Sequence, residues 1–157
     1  MDPGCIAVRR RGADLTVVCT SWMTVEAMKA AEVLAKQGVE LEVIDVRTVA
    51  PLHDAAILES VRKTGRCLIV DYDWVFCGFS AEVAARVSRE CFGALRQPVE
   101  RLGMAHVPCP TTRPLENRFY PSAVEIIRAA ERLLDRDPAD LAGETFYSYE
   151  RNFRGPF

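Results

Sequence analysis

Short apolar runs of strand length, separated by longer stretches of helical period, constrain this chain more than any other feature. "LTVVCT" (Leu15–Thr20) and "RCLIVD" (Arg66–Asp71) are continuous, β-branched and apolar, which marks strands covered on both faces. "VELEVIDV" alternates into another buried strand that ends at Asp45-Val46-Arg47-Thr48. Between the first two runs, "SWMTVEAMKAAEVLAKQG" reads as a helix. Ser21 or Thr24 is its expected cap, Val25, Met28, Ala31, Val33, Leu34 and Ala35 its apolar side, and Gly38 its stop. Pro51 opens the next connection, and Asp54 is placed to cap "AAILESVRKTG". Strands alternating with helices imply an α/β fold: a mostly parallel sheet with helices on both faces.

The remaining segments fit around that frame. "CIAVRR" predicts a short strand followed by a turn at "RGAD". A helix is expected from Ser80 to about Phe92, with Ala81, Val83, Ala84, Val87 and Cys91 inward. "QPVERLGM" gives a short strand, and "HVPCPTTRPLENRFYP" an irregular crossing. The last helix runs from about Ser122 to Leu134, with Ser122 and Glu125 spaced as a capping box. Residues 1–134 form the expected domain, and 135–157 an extension. That extension concentrates Phe146, Tyr147, Tyr149, Phe153 and Phe157 near its end, which disorder seldom does. It is read as an arm lying on its own domain or on a neighbour.

At 157 residues the chain suits one domain with a real core, and 49% apolar with 27% charged residues is the mix of a globular protein. A formal net charge of -2 argues against nucleic-acid binding, which needs a basic excess on one face. The basic run Arg9 to Arg11 is read as a solvated turn. No apolar run approaches the ~20 residues of a membrane-spanning helix, and the N-terminus lacks the order of a secretory signal. Six cysteines are scattered without a C-x-x-C pair, which favours a cytoplasmic, disulfide-free protein.

Catalytic motifs are sparse. There is no G-x-G-x-x-G, no G-x-x-x-x-G-K-S/T, no G-x-S-x-G and no H-E-x-x-H, and only His53 and His106 as imidazoles. Cys77 precedes a helix start, where the dipole favours a thiolate, yet nearby carboxylates oppose ionisation; an incidental thiol is the favoured reading. Asp71 and Asp73 lie two apart at a strand end and could share a direction as an acid–base pair. Helix capping, salt bridging or simple hydration is the commoner fate of such residues and is preferred. Trp74, Val75 and Phe76 put large apolar side chains in a loop, which calls for a partner surface within the domain or on another chain.

The order of these motifs resembles the transketolase C-terminal domain family, most closely the C-terminal domain of β subunits of thiamine-diphosphate-dependent 2-oxo acid dehydrogenases. "EVIDVRTVAPL" is similar to the family's strand, Arg-Thr and Pro-Leu sequence. "GFSAEVAARV" is similar to its Gly-Phe-x-x-Glu-Ile helix start, and "FGALRQPVERLGMAHVPCPTTRPLENRFYPSAVEII" to its following strand, crossing and last helix. The similarity spans roughly residues 6 to 134. The chain departs from the pattern at Asp71-Tyr72, where many members have His-Glu, at Cys77, where they have a glycine, and at His53, where they have an aspartate.

This resemblance implies a three-layer α/β/α sandwich whose five-stranded sheet has one antiparallel strand, with "CIAVRR" the candidate. It further implies subunit pairing and partner docking as the domain's role. Thiamine diphosphate and magnesium would be held by partner domains, none being bound here, and the isolated 157-residue chain would be inactive. The implied partners are a second copy in a homodimer, the cofactor-binding dehydrogenase domains or subunit, and an acyltransferase core. Arg47, Thr48, Glu82 and Glu116 are the candidate polar scaffold. Asp71, Asp73, Trp74, Phe76 and Phe79, with Phe146, Tyr147, Tyr149 and Phe153, are the candidate interface. A free-standing, non-catalytic dimerisation or protein-binding module is the alternative, and a small-molecule sensor using the strand-end crevice is a third reading by fold analogy alone.

Overall fold

The computed structural model describes residues 6–116, 118–144 and 146. In chain order the elements are β1 (Ile6–Arg10), β2 (Leu15–Thr20), α1 (Met23–Ala35), β3 (Leu41–Val46), α2 (Ala55–Thr64), β4 (Cys67–Trp74), α3 (Phe79–Glu90), β5 (Glu100–Met104), α4 (Arg113–Glu116) and α5 (Ala123–Leu133). The strands form one sheet in the order β1-β3-β2-β4-β5, with every neighbouring pair parallel except β1 and β3.

Side chains alternate across this sheet and are buried on both sides. Val17, Val43, Leu68 and Val70 face α1 and α5. Val18, Ile44 and Ile69 face α2 and α3, where Ile57, Val61, Val83 and Val87 meet them. Two covered faces are the reason the central strands read as apolar runs. Thr16 is a polar residue buried in the middle of β2, and its hydroxyl bonds to those of Ser60 (2.7 Å) and Thr64 (2.8 Å) on α2.

Helix starts differ from expectation. Neither Ser21 nor Thr24 caps α1. Trp22 takes the N-cap position, Ser21 adopts φ 50, and the Thr24 hydroxyl donates instead to Asp45. Val25 is 39% exposed, not inward, and Met28 and Ala35 are only half-buried. Ala27 and Ala30 take the inner stripe, letting α1 sit close to the sheet. Asp54 makes no side-chain cap to α2; its carboxylate accepts from Arg86 at 3.0 Å. The capping box at Ser122 and Glu125 is present, and Gly38 turns the chain after α1 at φ 74. Arg9 and Arg10 lie in β1 rather than in a turn, Arg10 pairing with Glu40 at 2.6 Å. The proline-rich crossing holds the short helix α4.

Beyond α5 the chain doubles back along the α1–α5 face. Glu144 pairs with Lys36 at 2.7 Å, Lys29 donates to the Phe146 carbonyl at 3.1 Å, and the Phe146 ring joins the α1–α5 core at 9% exposure. Tyr147, Tyr149 and Phe153, expected in the aromatic arm, lie outside the described residues.

Candidate functional site at the strand ends

In open α/β sheets ligands bind outside the carboxyl ends of two neighbouring strands whose following helices leave to opposite faces. Here those strands are β2, followed by α1 on one face, and β4, followed by α3 on the other. The crevice between them is laced by hydrogen bonds. Buried Asp71 accepts from the Thr20 hydroxyl at 2.5 Å and from the Ser80 N–H at 3.0 Å. The Tyr72 N–H donates to the same Thr20 oxygen at 3.2 Å. One carboxylate thus joins the ends of β2 and β4 to the start of α3, and both its oxygens are used.

Above this seam stands a tightly held turn. Its close approaches require glycine: a Cβ on Gly78 would fall 1.9 Å from the Trp74 carbonyl oxygen, and one on Gly103 would fall 2.4 Å from that of Asp73. Arg101 reaches across from β5 and donates to the Val75 carbonyl at 2.9 Å. Cys77 takes φ 56, which lets the chain turn back into α3.

That turn presents aromatic surface. Phe76 is 73% exposed and Trp74 44%. Their rings meet His106 from the crossing, with centroids at 6.3 Å and 5.5 Å. Tyr72 stacks on Tyr120 at 4.4 Å and 7°. The Ala105 N–H donates to the Phe119 carbonyl at 2.9 Å, so the crossing is clasped at its base and returns its ends to the crest. Trp22, 54% exposed, and Val49 stand at the ends of β2 and β3 on the same side of the sheet.

The model of the transketolase C-terminal domain matches residues 4–126. The chain belongs to this family. Among curated relatives it is 38% identical over 125 residues to the β subunit of acetoin:2,6-dichlorophenolindophenol oxidoreductase from Cupriavidus necator, covering 80% of this chain and 37% of that one. It is 42% identical over 129 residues to pyruvate dehydrogenase E1 component subunit beta-1 from Arabidopsis thaliana, covering 82% and 36%. A split-gene transketolase, described as an inactive beta4 tetramer, has a similar fold, with TM-score 0.72, 24% identity, and coverage of 88% and 45%. The chain spans less than half the length of each. It is therefore a transketolase C-terminal domain like those of 2-oxo acid dehydrogenase E1 β subunits.

In this transketolase C-terminal domain the expected site residues separate into groups. Asp71 and Asp73 do not form a pair: a register irregularity in β4 between Val70 and Trp74 leaves Asp71 buried and Asp73 exposed, accepting from the Trp74 N–H at 2.7 Å. Trp74 ends a strand and is not a loop residue, and Phe79 is half-buried against the α2–α3 core. Arg47 is exposed and donates to Asp45 at 3.2 Å, while Thr48 is half-buried. Glu82 pairs with Arg86 on α3 at 2.7 Å, and Glu116 is exposed on α4. Arg47, Glu82 and Glu116 do not converge on one another through any hydrogen bond among the described residues.

Sequence reasoning missed His106, Tyr120 and Trp22. The proline-rich crossing gave no register against the sheet, so nothing in it pointed to Tyr72 or Trp74. The Tyr72 hydroxyl, with lesser contributions from desolvation and the Cys109 thiol, pushes the Tyr120 phenol above its usual range. Burial raises the Cys67 thiol to about 12, and burial with Asp45 raises Cys19 further. Among the described cysteines, Cys77 and Cys109 are exposed. A shallow cavity of about 300 Å³ lies at the opposite end of the sheet, lined by Gln97, Val99, Glu100 and Arg132. Among the described residues, no group of three or more His, Cys, Asp or Glu side chains is placed to hold a metal ion, and no helix is long and apolar enough to cross a membrane.

Proposed function

We propose that this domain serves a thiamine-diphosphate-dependent 2-oxo acid dehydrogenase as scaffold and partner surface, with the coenzyme and its magnesium held by other domains. The observation that carries this reading is the laced crevice: the place where such sheets take a small ligand is occupied by Thr20, Asp71 and Ser80. Nearby cations are engaged elsewhere, Arg101 by Val75 and Arg47 by Asp45, so the strand ends offer little to a diphosphate. What they do offer is rigid, exposed aromatic surface, the kind that anchors protein interfaces.

In this reading Trp74 and Phe76 seat against the cofactor-binding dehydrogenase domains, Asp73, Phe79, Arg47, Thr48, Glu82 and Glu116 frame that contact, and the assembly decarboxylates a 2-oxo acid and passes the acyl group to an acyltransferase core. Subunit pairing with a second copy belongs to the same role. The buried thiols Cys19, Cys67 and Cys91 support a reducing, cytoplasmic setting.

The test mixes the purified chain with the cofactor-binding remainder of a relative's β subunit and its α subunit. Restored thiamine-diphosphate-dependent decarboxylation is expected, with a loss of about tenfold or more in affinity for the double variant Trp74→Ala, Phe76→Ala. Tight binding of thiamine diphosphate by the chain alone, measured by calorimetry, would overturn the assignment.

A further inference from the structure

The basic run Arg9-Arg10-Arg11 has no part in the role given to the crest, and the fold sets it on an open edge of the sheet. β1 pairs with β3 on one side only, so the backbone groups of its other side face no strand. A register shift against β3 leaves Arg9 opposite no residue of that strand. Val8, beside Ile44, looks to the α2–α3 side of the sheet and is 39% exposed. Arg10, beside Val43, looks to the α1–α5 side. The edge therefore shows an apolar residue on one face and a cation on the other.

Charges around this edge do not cancel. Arg10 pairs with Glu40 at 2.6 Å, and its buried Nε has no acceptor among the described residues. Arg9 and Arg11 are exposed and make no ion pair among the described residues. Neighbouring carboxylates are already engaged: Glu42 by Lys63, Asp45 by Arg47 at 3.2 Å, and Asp14 by the Glu40 N–H at 2.7 Å. The opposite edge differs. On β5, Glu100 is paired with Arg132, and Arg101 donates to the Val75 carbonyl. The turn after β1 is also fixed, because the Ala13 and Asp14 N–H groups both donate to the Glu40 carbonyl, at 3.0 and 3.1 Å. An open edge already held in place loses little freedom when it receives another strand.

We propose that β1 is a docking edge for an acidic, extended segment of another protein, which adds to the sheet as a further strand and sets its carboxylates against Arg9, Arg10 and Arg11. Backbone hydrogen bonds hold the segment. Selection comes from alternation, with apolar side chains beside Val8 and carboxylates on the arginine side. A second copy of β1 is a poor occupant, because it would crowd the arginines of both chains. A nucleic acid would meet the guanidinium groups but leave the backbone carbonyls of the edge unpaired. The contact lies at the far edge of the sheet from β5 and does not depend on the role of the crest.

Fluorescence anisotropy of the 157-residue chain with a labelled peptide alternating glutamate and valine tests this. Saturable binding is expected, weakening about tenfold as NaCl rises from about 50 to 500 mM. Arg9→Gln with Arg11→Gln should weaken it about fivefold while leaving the thermal midpoint of the chain unchanged. Two further probes carry N-methyl groups, one on every valine and one on every glutamate. Alternate N–H groups of a strand point to one side, so one of these probes should lose about tenfold in affinity. The Trp74→Ala, Phe76→Ala variant should bind the parent peptide as the unaltered chain does. If both methylated probes bind like the parent peptide, the contact is ionic only and edge pairing is overturned. Loss of binding in the Trp74, Phe76 variant moves the peptide to the crest and overturns it too. So does a single-stranded oligonucleotide of equal charge that binds more tightly than the peptide, and so does the absence of peptide binding at low salt.

Discussion

The hydroxyl of Thr20 and the carboxylate of Asp71, 51 residues apart in sequence, meet at 2.5 Å across the two strand ends where an α/β sheet would open a ligand crevice. With the Ser80 N–H as second donor, Asp71 holds β2, β4 and α3 together. Removing the carboxylate leaves a buried hydroxyl and a helix-start N–H without an acceptor. Asp71→Ala should therefore cost about 3 kcal/mol of stability, read from the urea midpoint, and Asp71→Asn a smaller part of that. A change below about 0.5 kcal/mol would show that water replaces the carboxylate freely.

Ser80 offers the opposite case. Its hydroxyl oxygen is buried without a hydrogen-bond partner, while its N–H serves Asp71. Ser80→Ala keeps the backbone bond and removes the orphaned group, so it should be neutral or stabilising by up to about 1 kcal/mol. Thermal denaturation of the two proteins side by side measures it.

Gly78→Ala and Gly93→Ala form a matched pair. The first would place a methyl 1.9 Å from a backbone oxygen in the crest; the second meets nothing within 4 Å. Gly78→Ala should cost about 2 kcal/mol or more and raise the quenching of Trp74 fluorescence, whereas Gly93→Ala should stay within about 0.5 kcal/mol of the parent.

Glu42 sets an acid limb of stability. Burial pushes its carboxyl up, but hydrogen bonds from Lys63, Ser60 and the Gly12 N–H, with the Lys63 charge, outweigh burial and hold it below the ordinary value. Its unfolded pKa is about 4.3. The folded pKa is lower, so its contribution is present above the unfolded value and is lost as pH falls through the folded one. Glu42→Gln should be less stable than the parent at pH 6, and the gap in urea midpoint should close at lower pH. A gap that stays constant to pH 3 would assign the acid limb to other carboxylates.

Thiol chemistry should be divided by burial. Raising Cys67 from 9.0 to about 12 removes roughly a thousandfold of its thiolate, and Cys19 is raised further still. Under native conditions at pH 8, maleimide labelling mapped by mass spectrometry should mark Cys77 and Cys109 and spare Cys19 and Cys67.

Much of the scaffold was legible because it depends on short-range pattern. The apolar runs placed β2 and most of β4, since a strand covered on both faces has no polar side to show. The capping box at Ser122 and Glu125 was readable for a related reason: both partners sit within one helical turn. Less was legible where a polar side chain chose a distant partner over a local one. Thr24 turned to Asp45, and Asp54 turned to Arg86 on a helix 32 residues away. Asp71 and Asp73 share a strand, yet the irregular register against β5 sends one inward and leaves the other in water.

The sequence by itself determined where the five strands and the four long helices fall to within a few residues, that both sheet faces are covered, and to which family the chain belongs. These follow from periodicity and from motif order along one chain. Tertiary structure alone decided that the strand-end crevice is laced by Thr20 and Asp71, that His106 and Tyr120 return to meet Trp74 and Tyr72, and that Lys29 and Lys36 hold the segment after α5. Each of those is a pairing between groups far apart in sequence. A hydrogen bond or ring contact forms only where the fold brings two groups within about 3 to 6 Å, and no local pattern encodes that distance.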